Sequence, residues 1–265
     1  MTDPTVLVEK RDGYRVLTLN RPDRLNAISL ALLEDMNATL DDVARDESCR
    51  ALLITGAGRA FCSGQDLTER AVQPDQIAAT VGKTLHSHYY PMLRKLRALP
   101  YPVVCAVNGV AAGAGCNLAL NADIVIAARS ASFVQAFIRI GLIPDIAGTY
   151  MLPRLVGMAR ARGLAMTGED LSAERAAEWG LIWKVFDDDA LMNEARGMCA
   201  RFAKAPTVAL GLMKKALDAS IGNDLETQLE LEYELQRQAG MTPDFAEGVR
   251  AFLEKRKPVF TGHSK

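Results

Sequence analysis

Five short runs of branched apolar residues dictate what this chain can become: "YRVLTLN" (14–20), "ALLIT" (51–55), "PVVCAV" (102–107), "DIVIAA" (123–128) and "LIWKVF" (181–186). Each is bounded by Gly, Pro, Asp or Asn, the punctuation of β-strands. Amphipathic helical patterns lie between them. The first runs from Ser29 to about Asp46, with Leu30, Leu33, Met36, Leu40 and Val43 spaced by threes and fours behind a capping Ser29. Further helical patterns fall at about 75–98, 111–121, 158–167, 172–179 and 188–204. Strands that alternate with helices predict an α/β fold. From 207 to 256 the periodicity is helical only, as in "LETQLELEYELQRQAG", so a body over 1–205 and a helical layer over 206–265 are expected. Helices with apolar faces and no sheet of their own must pack on the body or on another subunit, which predicts self-association.

At 265 residues a chain buries roughly 70 to 75% of its unfolded surface, so a sizeable core is available. With 31 Lys and Arg against 32 Asp and Glu, no global field attracts nucleic acid or an acidic membrane, and any anion site is local. The five cysteines are odd in number, scattered and without CxxC spacing, which argues against a disulfide framework or a zinc site and fits a reducing cytoplasm. The N-terminal stretch has no basic region followed by an apolar run, and nowhere do eighteen apolar residues stand together. Neither export nor membrane spanning is expected.

Three glycine-bearing stretches are candidates for chemistry. "TGAGRAFCSGQDL" (55–67) lets backbone pass close to a ligand. "NGVAAGAGCNLAL" (108–120) follows a strand and becomes a helix whose first NH groups would stabilise an oxygen gaining negative charge. Both could equally be close-packing devices. Neither spells GxGxxG, and no Gly-Lys-Ser/Thr follows for a phosphate loop. The third, "GLIPDIAGT" (141–149), places one acid, Asp145, among apolar residues; a turn or cap aspartate is the ordinary alternative. His86 and His88 read as surface or packing residues rather than metal ligands, so no metal is expected. Cys62 and Cys116 read as small packing residues. "DDD" (187–189) reads as a helix start and "EKRKP" (254–258) as a solvated helix end, although the latter could reach a phosphate on a neighbour.

In their order, "LNRPDRLNAIS" (19–29), "LLITGAGRAFCSGQDL" (52–67), "PVVCAVNGVAAGAGCNLALNADIVIAA" (102–128), "GLIPDIAGTYMLPRLVG" (141–157) and "FLEKRKPVF" (252–260) resemble the crotonase superfamily, also called the enoyl-CoA hydratase/isomerase family. The resemblance covers nearly the whole chain. It implies a spiral of ββα turns with a C-terminal helical trimerisation region, assembled as a homotrimer or a hexamer of two trimers. The implied ligand is an acyl-coenzyme A thioester, with no separate cofactor because coenzyme A is part of the substrate. By similarity, the NH groups of Gln65 and Ala114 match an oxyanion hole. Adenine would meet backbone around Ala60, Gly64, Asp66 and Leu67, and Arg24 would lie near the phosphates.

Hydratases of the family use two glutamates, and the matching positions here are Asn117 and Phe137, neither of which exchanges a proton as a carboxylate does. Both are expected to line the acyl pocket. Asp145 falls where isomerases of the family keep an aspartate, and Leu142, Ile143, Pro144 and Ile146 would raise its proton affinity if they bury it. "CAVNGVAAGAG", "DIVIAARSASF", "EWGLIW" and the Phe137–Asp145 combination resemble the branch that isomerises the ring 1,2-epoxide of phenylacetyl-CoA and shifts 3-enoyl double bonds. The expectation is a thioester isomerase with Asp145 as acid and base. A hydratase with a displaced acid is the alternative, and a non-catalytic acyl-CoA- or RNA-binding role is the second. The missing basic stripe argues against RNA.

Overall fold

The buried strand runs need neighbours on both edges, and the chain supplies them in two sheets. The computed structural model describes residues 4–70 and 82–263. The larger sheet has the order β1-β2-β3-β5-β7-β10: β1 (Val6–Arg11), β2 (Tyr14–Leu19), β3 (Leu52–Gly56), β5 (Val103–Val107), β7 (Ile124–Ala128) and β10 (Lys184–Phe186). All its pairs are parallel except the β1–β2 hairpin at the edge. β3 and β5 are buried at every position, as unbroken apolar runs covered on both faces should be.

The smaller sheet has the order β4-β6-β8-β9: β4 (Ala60–Cys62), β6 (Val110–Ala112), β8 (Ser132–Val134) and β9 (Asp170–Ser172). These three-residue strands carry too little periodicity to be read from sequence. Successive strands alternate between the sheets, β3 then β4, β5 then β6, β7 then β8, which makes the staircase of a ββα spiral. A parallel sheet requires such crossovers.

Among the described residues the helices are α1 (Leu30–Arg45), α2 (Tyr90–Ala98), α3 (Ala114–Leu120), α4 (Gly148–Thr167), α5 (Ala173–Glu178), α6 (Leu191–Phe202), α7 (Thr207–Ser220), α8 (Leu225–Gly240) and α9 (Pro243–Leu253). Ser29 caps α1 by accepting from the Leu32 NH at 3.1 Å, and Leu33, Met36, Leu40 and Val43 face inward as the spacing requires; Leu30 lies outside that face. The helical reading of 75–98 holds from residue 82 onward, through a π-helical turn at Leu85–Tyr89 and into α2, and its portion over 75–81 lies outside the described residues. The helix expected at 111–121 starts three residues later because Val110–Ala112 joins the small sheet. The helix expected at 158–167 is preceded by another turned segment from Gly148, and Gly157 breaks the helical dihedrals between them.

After Ala205 the described chain is helical only, and α7 to α9 leave Leu217, Leu225, Tyr233, Phe245 and Phe252 exposed. No helix among the described residues is long and apolar enough to cross a membrane.

Candidate functional site

Three neighbouring parallel strands of the small sheet end on the same side, and each hands the chain to one site segment. β4 pairs with β6 and β6 with β8. The residues that follow their carboxyl ends are therefore Gly64 and Gln65, Gly113 and Ala114, and Gln135 and Phe137. The end of parallel strands is where α/β folds place ligands. Separations of fifty and twenty residues in sequence disappear in this register.

Gly64 is held at φ +95°, where side-chain-bearing residues are strained, and a Cβ there would lie 2.9 Å from the Ala112 carbonyl oxygen and 3.6 Å from the Ala114 nitrogen. The two expected oxyanion segments thus touch through backbone. A parallel bridge joins Ile28 to Gln65: the Ile28 NH donates to Gly64 O at 2.7 Å and the Asp66 NH to Ile28 O at 2.9 Å. That pattern turns the Gln65 peptide NH away from Ile28. Ala114 opens α3, and the first bond back into that helix comes from the Asn117 NH to Gly113 O at 3.1 Å. The Ala114 NH accordingly belongs to the donors a helix start leaves outside its own ladder.

The Gln65 side chain is clamped. The Tyr89 hydroxyl donates to its Oε1 at 2.7 Å, and its Nε2 donates to Ile28 O at 2.9 Å. Tyr89 is buried at the end of a π-helical turn, Leu85–Tyr89. Phe137 is buried with its ring beside the Gly113–Ala114 turn: a Cβ on Gly113 would be 3.9 Å from its Cζ.

Asp145 lies on the turn into α4, half-buried, with its Oδ1 shielded from solvent. The expected apolar cover is only partial. Ile146 is fully buried, whereas Leu142 and Ile143 are exposed in this chain. Ile146 at φ +47° and Ala147 at φ +59° are both left-handed, although neither is glycine. Such residues cost about 1–3 kcal/mol each and cluster at functional sites.

Asn117, expected in the acyl pocket, is 0% exposed, and its amide is held by the protein: its Nδ2 donates to the Asp145 carbonyl at 2.7 Å while its Oδ1 accepts from Gln135 Nε2 at 2.9 Å. α3 presents it inward, toward the turn, because every residue of that helix is buried.

The expected coenzyme A segment is close at hand but built differently from a row of waiting backbone groups. Arg24 is exposed at the end of the 3-10 turn Pro22–Arg24, and the Ser63 hydroxyl meets its carbonyl at 3.5 Å. Leu67 is exposed, but Ala60 is buried and its carbonyl accepts from Asn26 Nδ2 at 2.8 Å. Gly64 O is occupied by Ile28. The Asp66 carboxylate is internal: the Thr68 hydroxyl donates to it at 2.6 Å and Arg21 pairs with it at 2.9 Å, and these two groups hold it below the usual carboxylate range.

Cys62 and Cys116 are packing residues, their thiols pushed up to about 12 by burial. His86 stands edge-on to the Tyr90 ring, and His88 Nδ1 lies 2.7 Å from Ser87 Oγ. Asp187 and Asp188 tie down the Arg129–Ser130 turn before α6 begins. In the tail, Arg256 is engaged by Glu247 and Glu254.

Sequence reasoning overlooked Asn26, Tyr89, Asn121 and Gln135. One signal was available for the third: Asn121 stands four residues after Asn117 and so shares its helix face.

The model of the enoyl-CoA hydratase/isomerase family matches residues 9–263. The chain belongs to that family, whose enzymes act on acyl-CoA thioesters. It is 52% identical over 257 residues to 1,2-epoxyphenylacetyl-CoA isomerase of Escherichia coli K12, covering 97% of this chain and 98% of the relative. It is 48% identical over 262 residues to a Rhodobacter capsulatus protein named "Probable enoyl-CoA hydratase", covering 99% and 100%. Among solved structures, enoyl-CoA hydratase from Bacillus anthracis superposes with a TM-score of 0.91 at 35% identity, over 98% of this chain and all of that one.

Proposed function

We propose that this protein is an acyl-CoA thioester isomerase in which Asp145 is the single acid and base and the NH groups of Gln65 and Ala114 form the oxyanion hole. Its substrates in this reading are the ring 1,2-epoxide of phenylacetyl-CoA, converted to the oxepin, and 3-enoyl thioesters, converted to 2-enoyl. The observation that carries the reading is the replacement of both hydratase acids, by a buried Asn117 committed to protein contacts and a buried Phe137, beside a strained turn that bears Asp145.

For the double-bond shift, the Asp145 carboxylate takes a proton from C2 of the 3-enoyl thioester. The electrons move into the thioester, and its oxygen becomes negative as a dienolate. Two aligned NH donors stabilise that oxygen more than the ground-state carbonyl. The same carboxyl then returns the proton to C4, which leaves the double bond between C2 and C3. One carboxylate suffices when C2 and C4 share a face. Coenzyme A enters as part of the substrate, so no separate cofactor or metal is invoked. In this reading Arg24 and the backbone around Ala60, Gly64, Asp66 and Leu67 hold the coenzyme A moiety.

The exposed apolar faces of α7 to α9 would be covered by further copies in a homotrimer or a hexamer of two trimers, in the cytoplasm, without nucleic acid or membrane. A turnover screen with ring-epoxide, 3-enoyl and 2-enoyl thioesters tests the reading. Turnover of the first two with slow hydration of the third is expected. Rapid water addition to a 2-enoyl thioester would favour the hydratase reading instead.

A further inference from the structure

Two consecutive left-handed residues that are not glycine, Ile146 and Ala147, follow Asp145 directly, and a turn of that kind persists only where its surroundings over-determine it. The surroundings are amides from one helix. Asn117 Nδ2 donates to the Asp145 carbonyl at 2.7 Å, and Asn121 Nδ2 donates to the Ile146 carbonyl at 3.0 Å and to Asn117 O at 2.7 Å. Asn117 lies within α3 and Asn121 caps its end, four residues on, so both side chains leave the same face. Gln135 sits on the far side of Asn117. Its Nε2 donates to Asn117 Oδ1 at 2.9 Å, which fixes the amide so that Nδ2, not Oδ1, meets the Asp145 carbonyl. Gly148 completes the fit, because a Cβ there would lie 2.2 Å from Asn117 Nδ2. All three amides are at least 95% buried, where an amide without partners would be costly to keep.

We infer that Asn117, Asn121 and Gln135 are positioning residues that suspend the Asp145 turn from α3. The helix that starts with Ala114 then carries the reference point for the carboxylate as well. A catalytic group displaced by about 1 Å loses on the order of a hundredfold in rate, so a single rigid element that fixes both ends of the site has a direct kinetic consequence. Asn117 thereby has a task of its own at a position where hydratases of the family are expected to carry an acid. This inference rests on Asp145 being the acid and base.

The experiment compares wild type, Asn117→Ala, Gln135→Met, Asp145→Asn and the Asn117→Ala/Asp145→Asn pair in 3-enoyl-CoA isomerisation and in C2 proton exchange in deuterated water, with thermal melts to verify folding. Asn117→Ala should lower kcat at least tenfold with KM within about threefold, and the nearly isosteric Gln135→Met should lower kcat several-fold in the same pattern. In the Asp145→Asn background, Asn117→Ala should change residual exchange by less than twofold, because the group it positions is already gone. A folded Asn117→Ala or Gln135→Met enzyme with kcat within twofold of wild type overturns the inference. So does a rise in KM at unchanged kcat, or an equal loss in both backgrounds. Wild-type turnover by Asp145→Asn alone would instead refute the acid-base reading, and that variant reports on it independently of Asn117.

Discussion

Replacing Gly64 by alanine tests whether the two proposed oxyanion segments depend on backbone contact. The new Cβ would stand 2.9 Å from the Ala112 carbonyl oxygen, against the 3.4 Å of ordinary contact, so the segments must part by about 0.5 Å. The obstacle is backbone on both sides and cannot rotate away. The residue must also hold φ +95°, which costs about 1–3 kcal/mol. Gln65 follows immediately in the chain, and misaligning one oxyanion donor costs about 2.7–4 kcal/mol, or 10²–10³ in kcat. Steady-state 3-enoyl-CoA isomerisation should show kcat lowered by about 10- to 10³-fold, with a melting temperature several degrees lower. Gly163→Ala is the control: it lies in α4 with open space around it, and should raise stability by about 0.5–1 kcal/mol without touching kcat. A folded Gly64→Ala enzyme with kcat within twofold of wild type would refute the reasoning.

Other consequences are as specific. All five cysteines are buried, and the Cys62 and Cys116 thiols are pushed up to about 12 by desolvation, so the native protein at pH 8 should show no fast-reacting thiol with a colorimetric disulfide reagent and five after denaturation. Fast labelling of Cys62 would contradict its reading as a packing residue. Asp66 has a folded-state pKa below the ordinary value of about 3.9, chiefly through Thr68 and with Arg21 assisting. Its contribution is therefore complete above about pH 4 and is lost as pH falls through the depressed value. Denaturant titrations should show wild type more stable than Asp66→Asn by a constant margin from pH 5 to 8, shrinking below pH 4. A margin that grows in acid would reverse the sign of the argument.

How far the molecule can be read from its letters varies by region. The core strands of the large sheet were legible because buried parallel strands are runs of Val, Ile, Leu and Ala, and α1 because its apolar period and Ser29 agree. The small sheet was not, since "AFC", "VAA" and "SFV" are three residues long and acquire meaning only as neighbours. The expected oxyanion donors are main-chain groups, visible only through the glycines beside them. Asn117 shows the opposite limit. Its identity excluded a carboxylate mechanism at that position, but its partners, Gln135 and the Asp145 carbonyl, come from segments that only the fold brings together. The apolar letters around Asp145 misled in part, because an irregular turn has no period that sends its apolar residues to one side: Leu142 and Ile143 both stay exposed and only Ile146 reaches the core.

The central claim is that Asp145 alone moves the proton. Its most direct test is Asp145→Asn, assayed for 3-enoyl to 2-enoyl isomerisation with C2 deuterium exchange, beside calorimetric affinity for a saturated acyl-CoA. The account predicts isomerisation and exchange reduced together by about 10²- to 10⁴-fold, with affinity within threefold of wild type. Unchanged turnover, or exchange that persists at the wild-type rate, would contradict it.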